Sequence, residues 1–155
     1  ENVIQEMSRR GVKKTIQCWD GRCYVHDEYD PDMIEYIQSE YPGVRVLSHP
    51  ECHQSVIKKS DFVGSTSQMC RDVAQSDAAS FLMLTECGLT SRLQLEYPTK
   101  QFVGSCTMCR YMKSNRLDDI LISLTDPRPE TIVEIDSSIQ SNACACIQAM
   151  FDYTK

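Results

Sequence analysis

The sequence has no long apolar run. None approaches the ~20 consecutive residues that a membrane-crossing helix needs. Its first stretch, ENVIQEMSRRGVKK, lacks the uninterrupted apolar segment that follows the basic residues of a secretory signal. It lacks an excess of positive charge: 16 Lys and Arg face 22 Asp and Glu, for a net charge of −6. The basic residues are scattered, so no nucleic-acid-binding face is expected. No Gly/Ser-rich or low-complexity stretch marks a flexible linker. The chain opens on Glu1 rather than Met, as a fragment or a processed chain would. The expectation is a soluble, cytoplasmic globular chain, away from membranes, with 155 residues to build one core.

Cysteine is abundant. Nine of them, an odd number, argue against a secreted disulfide framework when no signal segment precedes them. In a reducing compartment such thiols serve as small buried hydrophobes, metal ligands or redox groups. Cys18, Cys70, Cys87, Cys144 and Cys146 are expected to pack, whereas Cys23, Cys52, Cys106 and Cys109 have chemically richer neighbours.

The apolar pattern alternates between short runs and helical periods. TIQCW (15–19), VRVLS (44–48), DFVGS (61–65), FLMLT (81–85), QFVGS (101–105) and TIVEI (131–135) read as strands. Between them lie helical stretches. One runs from the N-cap Asp30 to the Pro42–Gly43 stop, with Met33, Ile34 and Ile37 on one face. The last is DSSIQSNACACIQAMFDY, capped by Asp136 or Ser137. Such alternation predicts an α/β fold of three layers, with helices on both faces of a parallel sheet.

Ligands of parallel sheets bind outside the carboxyl ends of the strands. Five successive strand ends carry reactive groups: Cys23 and His26; His49, Glu51 and Cys52; Ser65 and Thr66; Glu86; Cys106 and Cys109. The hexapeptide SHPECH (48–53) places His49 and Glu51 around a stiff Pro50, suited to acid–base work or simply to a polar turn. GSTS at a helix start suits an anion or an ordinary N-cap. CTMC (106–109) leaves three readings: half of a zinc site completed by His49 and Cys52, a thiol redox pair, or one ligand of an iron–sulfur cluster.

Taken in order, GRCYVH, YPGVRVLSHPEC, SDFVGSTSQM, TECGLTSRL and MCRYMKSN resemble quinolinate synthase, the A protein of bacterial NAD biosynthesis. The resemblance spans residues 19 to 115. It implies three similar α/β/α units about a pseudo-threefold axis, with a [4Fe–4S] cluster at the centre held by one cysteine from each. It implies condensation of iminoaspartate, supplied by L-aspartate oxidase, with dihydroxyacetone phosphate. By position, Cys23 and Cys109 are the implied cluster ligands. Glu51, His26 and His49 are the implied catalytic groups, and His49, Glu51, Ser65 and Thr66 hold substrate. Cys52 and Cys106 are then not ligands, although Cys106 with Cys109 resembles an extra cysteine pair of some members. Glu86 has no implied role. Residues 1–22 resemble the tail of the second unit, 23–108 the complete third unit, and 109–155 a return toward the first. The remaining cluster cysteine belongs to an N-terminal half of the enzyme, so 1–155 alone is expected to be inactive. The rival readings remain a zinc-binding module built on His49, Cys52, Cys106 and Cys109, and a redox protein using Cys106 and Cys109.

Overall fold

Four short runs pair side by side, and the two central ones bury both of their faces. The computed structural model describes residues 2–17, 21–104 and 106–153. It divides into two compact units, Glu1–Lys113 and Ser114–Lys155. The first holds strands β1 (Arg45–Ser48), β2 (Phe62–Val63), β3 (Ser80–Leu84) and β4 (Gln101–Val103). They form one parallel sheet in the order β2-β1-β3-β4. Its helices are α1 (Asn2–Arg9), α2 (Tyr24–Asp27), α3 (Pro31–Glu40), α4 (Gln54–Ile57), α5 (Thr66–Gln75) and α6 (Cys87–Glu96).

Side chains alternate across the sheet. Val46, Leu82 and Leu84 point to one face, where they meet Ile34 and Ile37 of α3 and Val56 of α4. Leu47, Phe81 and Met83 point to the other, against Met69 and Val73 of α5 and Leu93 of α6. The unit is therefore an α/β fold with helices on both faces, and its central strands read as continuous apolar runs for that reason.

The helix boundaries follow local chemistry. Asp30 accepts the Asp32 N–H at 2.9 Å, and Pro31 sits in the first turn of α3. Arg45 of β1 grips Asp72 of α5 through two hydrogen bonds, of 2.7 and 2.9 Å. Lys100 donates to the carbonyls of Val73 and Ser76, satisfying the open end of α5. Gly104 ends β4 with φ +87°, and a Cβ there would lie 2.7 Å from Leu82 Cδ1. Only glycine makes that turn without strain.

Two expected strands are not found among the described residues. Thr15–Gln17 is irregular, and Cys18 and Trp19 lie outside the described residues. Residues 131–135 begin in a 3-10 turn, Pro129–Thr131, and continue without strand structure. Both runs are apolar enough to pair, yet neither has a strand partner among the described residues.

The second unit contains α7 (Leu117–Thr125) and α8 (Ser137–Tyr153). Asp136 caps α8, accepting the Ser138 hydroxyl at 2.5 Å and the Ser138 N–H at 2.8 Å, and these hydrogen bonds, the hydroxyl's first, hold its carboxyl below the usual range. No described residue of this unit is buried. Cys144 and Cys146 are exposed thiols, not the packing residues the sequence led us to expect. Leu117, Leu124 and Ile139 are exposed as well.

Phe81 is fully buried in the sheet's centre. Phe81→Ala is expected to lower stability by about 3–5 kcal/mol. Urea unfolding checks this, and a loss below about 1 kcal/mol would contradict the packing described.

Candidate functional site

The sheet order sets the position of the site. The chain leaves β1 toward β2 on one side, then crosses back to β3 on the other. The switch point lies between β1 and β3, where parallel sheets open a crevice at their carboxyl ends. Ser48 and Leu84 are register partners there, and His49 and Thr85 follow them. The His49 N–H donates to the Leu84 carbonyl at 3.4 Å, closing the strand ends together.

Helix α2 lays a third segment over this crevice. Val25 anchors it in the core, and the Cys23 carbonyl accepts the N–H groups of His26 and Asp27. His26 is buried. Its Nδ1 lies 3.0 Å from Glu51 Oε2 and its Nε2 3.3 Å from Thr85 Oγ1. Its ring stacks on His49, with centroids 4.2 Å apart and planes at 9°. The Cys23 thiol, a His26 ring nitrogen and a Glu51 carboxylate oxygen all lie within 4.8 Å of one another.

The SHPECH loop is held from several directions. The Cys52 N–H bonds the His49 carbonyl at 3.0 Å. Asn2 donates to the carbonyls of Pro50 and Cys52. The Glu51 N–H donates to His49 Nδ1 at 3.3 Å. Burial, and then the neighbouring His26, push the His49 imidazole below its ordinary value. Glu51 itself is exposed, with 56% of its side chain accessible. Its carboxylate can therefore meet a substrate while the imidazoles beside it stay sheltered.

Cys109 is fixed from a separate direction. Tyr24, next to Cys23, donates its hydroxyl to the Met108 carbonyl at 3.1 Å and accepts the Arg110 N–H at 2.7 Å. Glu86 accepts the Cys109 N–H at 3.2 Å while capping α6 through the Gly88 N–H at 2.6 Å. The Tyr29 hydroxyl accepts the Thr107 N–H at 3.3 Å. Cys23 and Cys109 are both half-buried against the same apolar cluster. The Met112 N–H lowers the Cys109 thiol from its ordinary value, outweighing partial desolvation.

Ser65 and Thr66 start α5 on the same sheet edge. The Ser65 hydroxyl accepts the Gln68 N–H at 3.4 Å, and the Gln68 side chain returns a bond to the Ser65 N–H at 2.8 Å. That is a complete capping box. Among the described residues no hydrogen bond joins either to His26, His49 or Glu51. His26, His49, Glu51 and Cys23 come together, and the α5 start adjoins them through the Gly64 N–H, which donates to the Ser48 carbonyl at 3.1 Å.

Two expectations for the cysteines change. Cys106 is bonded to Cys87, with Cα atoms 5.2 Å apart, so it pairs with neither Cys109 nor a metal. Cys87 is thereby a cross-link and not a packing residue. Cys52 is buried in the core, its thiol directed to the Leu84 carbonyl and pushed up to about 11 by burial. These facts remove the zinc quartet of His49, Cys52, Cys106 and Cys109, and the Cys106–Cys109 redox pair. Sequence reasoning missed Tyr24, Tyr29 and Thr85, because hydroxyl side chains carry no spacing signal. It left Glu86 without a role, and the capping of α6 and the hold on Cys109 supply one.

Peptide mapping without reductant is expected to yield a Cys87–Cys106 linked fragment. On raising the pH, iodoacetamide should label Cys109 before Cys52, because the first thiol ionises more easily and the second is buried. The reverse order would contradict the site as described.

A family model for quinolinate synthetase A protein matches residues 1–152. The chain is 36% identical over 152 residues to a quinolinate synthase of Caulobacter vibrioides, covering 98% of this chain and 41% of that protein. It is 34% identical over 139 residues to quinolinate synthase 1 of Mesorhizobium japonicum, covering 90% and 42%. It is 34% identical over 150 residues to a quinolinate synthase of Agrobacterium fabrum, covering 97% and 41%. The chain thus spans less than half the length of these relatives. With a match across nearly all of its residues, it belongs to the quinolinate synthetase A protein family.

Proposed function

We propose that the chain works within a quinolinate synthase of de novo NAD synthesis in the cytoplasm. That enzyme joins iminoaspartate, supplied by L-aspartate oxidase, to dihydroxyacetone phosphate. It releases phosphate and two waters to give quinolinate. One observation carries the reading for a member of this family: the exposed Glu51 carboxylate is aimed by a buried histidine, 3.0 Å away, and lies beside the Cys23 thiol.

Glu51 is the general acid–base in this reading. It takes and returns protons as the carbon skeleton isomerises and loses water. The His26 ring holds Glu51 in place and is itself steadied by Thr85 on its far nitrogen. His49 accepts the Glu51 N–H at Nδ1, which leaves its proton on Nε2. Its lowered affinity for a second proton keeps it neutral, so it donates one directional hydrogen bond to a substrate carboxylate. The Ser65 and Thr66 hydroxyls, at the positive end of the α5 dipole, bind the phosphate or a carboxylate.

The donor set suits an iron–sulfur cluster. Two half-buried thiols lie against one apolar cluster, and a backbone N–H stabilises the thiolate of Cys109. Cys23 and Cys109 would hold a [4Fe–4S] cluster, with a third thiolate from the N-terminal half of the longer enzyme. When bound, such a cluster supplies a Lewis acid for a substrate oxygen. Residues 23–108 would be one complete repeat, 1–22 the tail of the unit before it, and 109–155 a segment docked on the remaining unit. The exposed Leu117, Leu124 and Ile139 support that docking, since large exposed apolar surface marks an interface.

In the full-length enzyme, Glu51→Gln is expected to retain iron and sulfide while turnover falls roughly 10²–10⁴-fold. Cys23→Ala and Cys109→Ala should each lose the brown cluster absorbance. Undiminished quinolinate formation by Glu51→Gln would overturn the acid–base role. A full-strength cluster in both cysteine variants would overturn the ligand assignment.

A further inference from the structure

We propose that Asn2 is a positioning residue for Glu51: its side-chain amide fixes the turn that aims the carboxylate. The inference rests on the acid–base reading of Glu51 and adds to it a residue remote in sequence. A carboxamide offers two N–H donors and one acceptor oxygen. Asn2 engages both kinds of group on the SHPECH loop and the helix after it. Its Nδ2 donates to the Pro50 carbonyl at 2.5 Å and to the Cys52 carbonyl at 3.0 Å, so the two bonds bracket Glu51. Its Oδ1 accepts from Gln54 Nε2, at the start of α4.

The loop needs such a hold. Burial fixes its two ends: Ser48 closes β1 and is fully buried, and Cys52 lies in the core. Glu51 between them has 56% of its side chain accessible. Packing holds a residue so exposed only weakly, whereas hydrogen bonds to the backbone around it set its direction. His49 supplies two of these, taking the Glu51 N–H on its ring at 3.3 Å and the Cys52 N–H on its carbonyl at 3.0 Å. Those bonds hold the amide side of the turn, and Asn2 holds the carbonyl side. With the backbone fixed from both sides, the carboxylate stands 3.0 Å from His26 Nδ1. A misplacement of ~1 Å at a reacting group can lower a rate by roughly 10²-fold.

Asn2 is half-buried and opens α1. The clamp thus joins a helix from the start of the chain to the loop after β1. If residues 1–22 are the tail of a preceding unit, as proposed above, one unit of the enzyme aims the carboxylate of the next.

Asn2→Asp is the discriminating variant. It keeps the size of the side chain, removes both donors and sets a carboxylate against two carbonyls. In the full-length enzyme it should lower kcat by roughly 10–10²-fold, with KM changed by less than about threefold. Iron and sulfide should stay at the level of the unaltered enzyme, and Asn2→Ala should behave alike. Added to Glu51→Gln, Asn2→Asp should cause no further loss, since a residue that acts only through Glu51 is non-additive with it. In the 155-residue chain, the Glu51 and Cys52 amides should exchange hydrogen at least roughly fivefold faster in Asn2→Asp, while those of Val46 and Leu82 in the sheet keep their protection. Undiminished turnover in Asn2→Asp, a loss matched by lost iron, a full multiplicative loss in the double variant, or unchanged exchange at Glu51 overturns the inference. Undiminished turnover in Glu51→Gln overturns the acid–base reading instead, and the exchange rates then show by themselves whether Asn2 holds the turn.

Discussion

The contact on which the site depends is that of His26 with Glu51 on one side and Thr85 on the other. It joins three pieces of chain that are remote in sequence: α2, the loop after β1, and the end of β3. A buried imidazole is tolerated in a core only if both nitrogens find partners. Once they do, the ring cannot turn, and it transmits the rigidity of the sheet to a carboxylate that is otherwise in solvent. The hydrophobic layers supply the stiffness and the imidazole delivers it to the surface.

The sheet and its ends were legible because they obey strong local rules. VRVLS and SFLMLT are too apolar to face water on either side, so they had to be central parallel strands. Asp30–Pro31 and Ser65 announced their helices through side chains that cap N–H groups. From these, the rule that ligands gather at strand carboxyl ends led to His26, His49 and Glu51. The same rule led to Cys23, which lies beside His26 and Glu51 although the strand expected before it is not present at 15–17.

Other features depend on tertiary facts that no short window contains. TIVEI has strand-like residues, but a strand exists only where another offers its hydrogen bonds. The spacing of CTMC pointed to a pair within the motif, whereas Cys106 bonds Cys87, 19 residues away. That choice follows from how β4 returns beside α6. Cys144 and Cys146 sit in an apolar helix whose burial must come from outside the Ser114–Lys155 unit, if at all. Tyr24 was invisible because its value lies in where its hydroxyl reaches, between the carbonyl and amide that flank Cys109.

The short helix α2 runs only from Tyr24 to Asp27, with Cys23 at its cap. Each residue of a helix advances by about 100° of rotation. One extra residue between Cys23 and His26 would therefore swing the thiol away from the imidazole, however well the rest of the core tolerated it. The two intervening positions act as a molecular ruler: Tyr24 and Val25 each hold the helix by a contact of their own, and their number sets the angle between thiol and imidazole.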